Sequence, residues 1–347
     1  MTRRAVALFS DGLDSILSAI TALKQGIEVK AIKFLTPFNC NLNDVSLCSN
    51  STFSVAENFE FEVKLCNLSD KFIEIVRNPR FGYGRNMNPC IDCRILMLKE
   101  AKLFMDMVKA DFIVTGEVLG QRPMSQKKNT FYLIDREAGL KDLVLRPLSA
   151  KLLKITFPET QGIINRDMLY GFSGRSRRPQ IALARELGIT GYPTPAGGCL
   201  LTEPNYACRL KDLLTYTTIL SIRDISLLRI GRHFRFSPSC KIIVGRNEAE
   251  NEQILSLHKK EDCLLNVEGY GSPITIITGE ITDEALKTAA SICARYSDAK
   301  NLSMVGVSVY GRDISSKIQI SPADESLLEN YRIEFSGTKK VKDRVYR

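Results

Sequence analysis

The chain is 347 residues long, 44% hydrophobic and 25% charged, which is enough for two domains with their own cores and ordinary for a globular protein. Its net charge of +9 attracts polyanions, while two histidines leave little imidazole for a zinc hydrolase site or a histidine-based triad. No apolar run approaches the roughly 20 residues of a membrane span, and Met1-Thr2-Arg3-Arg4 leads straight into a strand-like segment, so a cytoplasmic protein without membrane contact is expected.

From the amino terminus, Ala5-Val6-Ala7-Leu8-Phe9 predicts a strand, and Ile16, Leu17, Ile20 and Leu23 predict a helix over Asp14 to Gln25 that Gly26 closes. Val29 to Leu35 supplies a second strand. Ile91 to Val108 reads as a helix, Phe112-Ile113-Val114 as a strand entering a glycine turn, and Leu143-Val144-Leu145 as a strand before Arg146-Pro147. This alternation implies an α/β domain to about residue 170, a parallel sheet with helices on both faces. Residues 171–215 form a basic connector: Gly174, Arg175, Arg177, Arg178 and Pro179 precede a helix, and Pro193, Pro195, Gly197 and Gly198 lead to Cys199. Over 216–347, runs such as Lys241-Ile242-Ile243-Val244 and Ile274-Thr275-Ile276-Ile277, with helices near Glu248 to Leu257 and Asp283 to Tyr296, predict a smaller α+β domain.

Ser10-Asp11-Gly12-Leu13-Asp14-Ser15 lies between the first strand and first helix, where a tight loop presents backbone N–H groups and a helix N-terminus to an anion such as pyrophosphate. It is neither a Walker loop nor a GxGxxG fingerprint. The plain alternative is that Asp14 or Ser15 only caps the helix.

Strand-S-x-G-x-D-S-helix resembles the PP-loop of the ATP pyrophosphatase family, usually SGGxDS. Val114-Thr115-Gly116-Glu117-Val118-Leu119-Gly120-Gln121, followed by Ser125-Gln126, is similar to the TGExLGQ…SQ segment of tRNA 4-thiouridine synthases. Leu145-Arg146-Pro147-Leu148 followed by Lys154 is similar to their RPL…K segment, and the matches run in family order over roughly the first 155 residues. The resemblance implies ATP on Ser10, Asp11, Gly12, Leu13, Asp14 and Ser15, adenine near Phe34, further contacts from Gly116, Gln121 and Ser125, and catalytic parts for Asp14 and Lys154. Asp11 departs from the usual glycine and puts a carboxylate beside the expected phosphates, so a magnesium requirement is expected. The RNA-binding THUMP region that precedes the loop in 4-thiouridine synthases is also missing, so RNA is expected to be recognised some other way, or with help.

Ten cysteines in such a chain point to thiols, metal ligation or sulfur chemistry before disulfides. Asn88-Pro89-Cys90-Ile91-Asp92-Cys93 sets a C-x-x-C at a helix start, where the dipole favours thiolate, and Gly197-Gly198-Cys199 suits close approach to a partner. Cys40, Cys48, Cys66, Cys208, Cys240, Cys263 and Cys293 lack such context and read as packing residues. The pattern is similar to that of PP-loop tRNA thiolases, and two mechanisms stay open. Either Cys93 and Cys199 form a persulfide relay, or Cys90, Cys93 and Cys199 hold a 4Fe-4S cluster with one iron open to sulfide; the third cysteine favours the cluster. A structural zinc lacks a fourth ligand, since no motif aims His233 or His258 at the site.

Lys127 and Lys128, and Arg175, Arg177 and Arg178, are candidate tRNA phosphate contacts, against the alternative of a solvated charged surface. Gly231 to Phe236 and Lys241 to Asn251 interleave basic with apolar residues and weakly resemble an RNA-associated domain of ribosome quality-control proteins. The expected activity is an ATP-dependent tRNA sulfurtransferase that adenylates a uridine carbonyl, releases pyrophosphate and AMP, and takes sulfur from sulfide or a cysteine desulfurase. The product favoured is 4-thiouridine over 2-thiouridine. The rivals are a PP-loop amidotransferase or synthetase for a small molecule, which has no use for Cys90, Cys93 and Cys199, and a non-catalytic RNA-binding protein with a degenerate loop.

Overall fold

In the computed structural model, which describes residues 3–38, 61–189, 192, 199–311 and 314–335, the first strand shows why its sheet is covered twice. Along β1 (Arg4–Leu8), Ala5 and Ala7 pack into one hydrophobic cluster, and Val6 and Leu8 into another. Side chains alternate faces along a strand, so one that is apolar at every position needs a layer on each side.

By its internal contacts the chain separates into two units, Met1–Leu200 and Leu201–Arg347. The first runs β1, α1 (Leu13–Leu23), β2 (Glu28–Leu35), β3 (Glu62–Asn67), α2 (Ser69–Arg77), α3 (Cys90–Met107), β4 (Phe112–Thr115), α4 (Lys128–Glu137), β5 (Val144–Leu145), α5 (Phe157–Thr160) and α6 (Arg178–Glu186). The five strands are parallel in the order β3-β2-β1-β4-β5. One face carries Leu13, Ile16, Leu17 and Ile20 of α1 with Leu183 and Ala184 of α6. The other carries Ile95, Leu98, Ala101 and Met105 of α3 with Ile134 of α4. The expected α/β sheet with helices on both faces is thus present, and the elements read from the sequence lie within two residues of the observed bounds. Not read from the sequence are α2, α4, α5 and the edge strand β3, whose Glu62-Val63-Lys64-Leu65-Cys66-Asn67 is largely exposed. The segment from Gly171 to Glu186 belongs to this unit: Ser173 bridges to Leu119, and α6 packs against α1.

The second unit is α+β as expected. Its sheet is antiparallel, in the order β11-β10-β8-β9-β7-β6, from β6 (Arg232–Ser237), β7 (Cys240–Val244), β8 (Cys263–Val267), β9 (Thr275–Gly279), β10 (Val305–Gly311) and β11 (Ile314–Ile320). Helices α7 (Pro204–Tyr216), α8 (Ile222–Leu227), α9 (Glu248–Leu257), α10 (Asp283–Arg295) and α11 (Glu325–Tyr331) accompany it. Ala285, Ala289, Ala290 and Ala294 of α10 pack with Ile242, Val244 and Ile277, whereas Ile243 and Ile276 pack with Leu227 and Ile254 on the opposite face. Cys240, Cys263 and Cys293 are buried in the first of these clusters, as their bland sequence context implied.

A buried polar knot ties α7 to the β6–β7 hairpin. Arg235 grips Asp212 with both ends of its fork, at 2.6 and 3.2 Å, and Lys241 Nζ lies 3.9 Å from the same carboxylate. Burial pushes the Lys241 amine down from its ordinary 10.5 to about 7, against the pull of Asp212. The unfolded chain keeps this proton up to about pH 10.5 and the folded chain gives it up near pH 7, so stability rises with pH across that window. Urea unfolding between about pH 7 and about pH 10 should show the midpoint of this unit climbing in the native chain and a flatter profile in Lys241→Met. Equal slopes in the two proteins would refute the assignment.

Candidate functional site

The loop after β1 leaves the carboxyl edge of the parallel sheet where the strand order reverses, with β2 on one side of β1 and β4 on the other. Open α/β sheets receive ligands at this switch point. Gly12 is the N-cap of α1, and no side chain caps the helix. Ser15 Oγ instead donates to the Gly12 carbonyl at 2.7 Å and accepts from the Ser10 N–H at 3.2 Å. The capping alternative therefore falls, and the positive end of α1 stays directed at the loop.

Asp11 adopts φ +59°, in the left-handed region that favours glycine, which is the usual residue here in the family the loop resembles. Its carboxylate pairs with Lys33 Nζ from β2. The repulsion expected between Asp11 and phosphates thus has a counter-charge within the chain. Asp11 Oδ1 and Asp14 Oδ1 are both buried without a hydrogen-bond partner among the described residues.

Asp14 Oδ2 accepts from Gln121 Nε2 at 2.9 Å and lies 3.5 Å from Arg177 Nη2. Gly116 sits against the backbone of the same turn: a Cβ there would lie 2.5 Å from Ser15 N and 2.6 Å from the Asp14 carbonyl carbon. Its contribution to the site is the space it leaves. Beneath it, Glu117 Oε2 accepts from buried Arg146 Nε at 3.1 Å, Arg146 holds Asp135 at 2.8 Å through both terminal nitrogens, and Arg94 Nε lies 3.4 Å from Glu117 Oε1. Ser149 Oγ accepts from the Leu119 N–H at 2.9 Å and donates to the Phe172 carbonyl at 2.7 Å. The Gly174 N–H donates to the Leu119 carbonyl at 2.7 Å, so the segments after β4 and β5 and around Gly174 are laced together.

The thiols depart from expectation. Cys90 opens α3, and the Cys93 N–H donates to the Pro89 carbonyl at 2.9 Å. Asp92 fixes the entering chain by accepting from the Arg80 and Phe81 N–H groups at 3.1 and 3.0 Å. A helix start was expected to favour thiolate. Instead, burial pushes Cys93 up to about 12, reinforced by Cys199 and Cys90 nearby and opposed by Arg94 and Arg122; burial also raises Cys90. Desolvation outweighs the dipole because the dipole acts on a group that has lost its water. Cys199 Sγ lies 3.8 Å from the Phe38 carbonyl, just past β2, and the Leu200 N–H donates to the same oxygen at 3.3 Å. Cys90, Cys93 and Cys199 therefore converge, although among the described residues no three His, Cys, Asp or Glu side chains are arranged to hold a metal ion. Cys40, Cys48, Pro193, Pro195, Gly197 and Gly198 lie outside the described residues.

Of the other expected site residues, Ser125 is buried and Phe34 packs in the core with Leu8 and Ile32. Lys154 is exposed, its ammonium 5.2 Å from the centre of the Tyr132 ring, and no described contact brings it to the loop. Lys127, Lys128, Arg175 and Arg178 are exposed, whereas Arg177 turns inward to Asp14. The sequence reading missed Lys33, whose signal was a charge inside an apolar strand. It also missed the roles of Glu117 and Arg146, which it quoted only as parts of motifs.

No described helix is long and apolar enough to cross a membrane. Residues 231–332 match the model of the NFACT protein RNA binding domain. The chain is 30% identical over 154 residues to a probable tRNA sulfurtransferase in each of two strains of Ureaplasma parvum serovar 3, covering 42% of this chain and 37% of the relative. It thus spans little more than a third of those relatives. Among solved structures it is similar to a 4-thiouridine synthetase in complex with RNA and ATP, with 21% identity, 54% of this chain and 41% of that chain covered, and a TM-score of 0.39. It is also similar to the C-terminal part of a fibronectin/fibrinogen-binding protein from Streptococcus suis, with 13% identity, 70% and 94% covered, and a TM-score of 0.27.

Gly116→Ala should lower stability by about 1–3 kcal/mol in urea unfolding, because the added methyl meets backbone that cannot swing aside. It should also speed hydrogen exchange at the Ser15 and Ile16 amides; native stability and exchange would contradict the contact. Residues 1–152 match the model described as thiamine biosynthesis protein (ThiI), so this segment carries the similarity to PP-loop tRNA thiouridine synthases that its motifs implied.

Proposed function

We propose that the chain is an ATP-dependent tRNA sulfurtransferase that adenylates a uridine carbonyl and replaces its oxygen with sulfur, with 4-thiouridine favoured over 2-thiouridine. One observation carries this reading: three thiols, Cys90, Cys93 and Cys199, gather in the unit whose Ser10–Ser15 loop is built for an anion. Cys199 is tied to the chain after β2, and the thiols' neighbour Arg94 to Glu117 after β4. Both strands flank β1, whose loop faces the same edge of the sheet. A small-molecule amidotransferase needs the loop but not the thiols. Similarity of residues 1–152 to the ThiI model and of residues 231–332 to an RNA-binding domain supports tRNA as partner, with sulfide or a cysteine desulfurase as sulfur source in the cytoplasm.

The uridine oxygen attacks the α-phosphorus of ATP and pyrophosphate leaves. A sulfur nucleophile then attacks the activated carbon, and AMP carries the oxygen away. The loop amides and the α1 N-terminus hold the phosphates, Gln121 orients Asp14, and Lys127, Lys128, Arg175 and Arg178 offer outward cations to tRNA phosphates. Magnesium fits the orphaned oxygens Asp11 Oδ1 and Asp14 Oδ1 and would supply neutralising charge to the leaving pyrophosphate. Three soft thiols are the donor type of a 4Fe-4S cluster, which Cys90, Cys93 and Cys199 would hold and which would supply a Lewis-acid iron for hydrosulfide, but in this structure the three are not arranged to hold a metal ion. A second reading is a Cys93–Cys199 persulfide relay, in which Cys90 is dispensable.

Anaerobic protein incubated with ATP, magnesium and tRNA should yield AMP, pyrophosphate and thionucleoside by mass spectrometry, with sulfide as donor in one arm and a cysteine desulfurase, cysteine and a thiol reductant in the other, since a persulfide relay cannot be charged by sulfide alone. Asp14→Ala should lower the yield by about a hundredfold or more. Loss of activity in Cys90→Ala, together with iron and acid-labile sulfide in the native protein, supports the cluster. Full activity of Cys90→Ala without iron supports the relay, full activity of all three single cysteine variants would refute a part for these thiols, and AMP and pyrophosphate without thionucleoside from the native protein would refute sulfur transfer.

A further inference from the structure

We propose that Arg177 is a nucleotide-phosphate ligand: its guanidinium, stationed at Asp14, binds the phosphates of a nucleoside triphosphate seated on the Ser10–Ser15 loop. The inference rests on the ATP reading above and separates Arg177 from the basic residues beside it. In sequence, Arg175, Arg177 and Arg178 form one basic cluster facing a polyanion. In the fold they divide, since Arg175 and Arg178 are exposed while the Arg177 side chain is only 24% exposed and turns toward the loop.

Its surroundings leave Arg177 short of partners. The fork carries five N–H donors, and its one recorded ionic contact among the described residues is Asp14 Oδ2 at 3.5 Å, beyond ordinary hydrogen-bond length. Arg177 Nε is buried with no hydrogen-bond partner among the described residues, as is Asp14 Oδ1 facing the same pair. A largely buried guanidinium is costly unless its charge and donors are met. Asp14 does not meet them as it stands, because Oδ2, the oxygen that Arg177 nears, also accepts from Gln121, and Oδ1 makes no hydrogen bond among the described residues. One turn into α6, Gln180 is fully buried with neither amide atom partnered among the described residues, a second unmet polar group on this segment.

Arg177 is also held in place before any ligand arrives. The Leu119–Ser173 bridge and the Gly174 N–H bond to the Leu119 carbonyl fix the chain just ahead of it, and α6 begins at the next residue. Charge balance points the same way. Asp11 is matched by Lys33, and Asp14 faces Arg177, so the side chains of the loop supply no surplus cation. A triphosphate brings several negative charges, and a planar fork suits phosphate oxygens bidentately. A guanidinium bound to phosphate keeps its contact with Asp14 through another of its nitrogens.

The full chain should be titrated calorimetrically with magnesium-ATP and with adenosine, and its RNA affinity measured across salt concentrations, for the native protein, Arg177→Ala and Arg177→Lys. Arg177→Ala should weaken ATP about tenfold or more while leaving adenosine within about twofold, as expected for a lost charged hydrogen bond. Arg177→Lys should fall between, since a lysine keeps the charge and loses the fork. Adenosine binding doubles as the check that the site is still folded. Equal loss for ATP and adenosine would reduce Arg177 to a structural residue. Unchanged ATP affinity with weaker, less salt-dependent RNA binding would return it to the RNA surface; either result overturns the inference. Ser15→Asp, which sets a carboxylate in the loop itself, distinguishes the two levels. If it too leaves ATP affinity intact, the nucleotide reading fails; if it alone abolishes binding, only the role of Arg177 does.

Discussion

The carboxyl edge of the first sheet is assembled on one buried guanidinium. Arg146 binds Asp135 through both terminal nitrogens at 2.8 Å, reaches Glu117 through Nε at 3.1 Å, and lies 4.1 Å from the centre of the Phe131 ring. Removing either partner from such a group leaves an uncompensated charge in a poor solvent, so the arrangement admits few alternatives. Glu117 is thereby fixed, and Gly116 beside it lies against the first turn of α1. The far oxygen of Glu117 faces Arg94, one residue from Cys93. A single buried charge therefore sets both the anion loop and the approach to the thiols.

The loop shows how an acidic residue is tolerated at a phosphate site. An aspartate at φ +59° pays more strain than glycine but less than most residues, because its short polar side chain tolerates the left-handed region. Lys33 reaches it from the neighbouring strand, so the substitution and its counter-charge come as a pair. Replacing Lys33 alone would leave Asp11 to repel the anion that α1 attracts.

Much of this was legible in the sequence because it is local. A strand of unbroken apolar residues, a short polar turn and an amphipathic helix fix β1, the loop and α1 without reference to the rest of the chain. β3 was illegible because an edge strand exposes most of its side chains and carries no apolar run. Arg177 was misplaced for a different reason. Its neighbours in sequence are exposed cations, whereas its partner Asp14 lies in the first helix, and only the lacing of Gly174 to Leu119 turns it inward. The thiolate expectation failed because helix position can be read from sequence, whereas the burial of Cys93 depends on distant chain such as Cys199.

Basic residues in the second unit have to be divided by the direction in which they point. Arg235 and Lys241, which made Gly231 to Asn251 look suited to a polyanion, face inward and are engaged with Asp212. His233 is buried, donating to or accepting from nothing at Nδ1 among the described residues, and is held neutral by burial with Lys241 and Arg209 nearby. Arg246 is occupied by Glu250. In a strand the period of two sends neighbouring residues to opposite sides, so a basic and aromatic interleaving is an ordinary way to build a hairpin with a polar core contact. A polyanion meets only the outward cations. Arg232, Arg295, Lys300 and Arg332 line a recess of about 380 Å³ together with Tyr296, Asp298 and Glu325. Arg332 is partly neutralised there by Glu325 at 3.0 Å, whereas the side chains of Arg295 and Lys300 make no recorded ion pair among the described residues. Three of the four cations of this recess, Arg295, Lys300 and Arg332, thus lie outside the stretch that its sequence advertises, and only Arg232 lies within it.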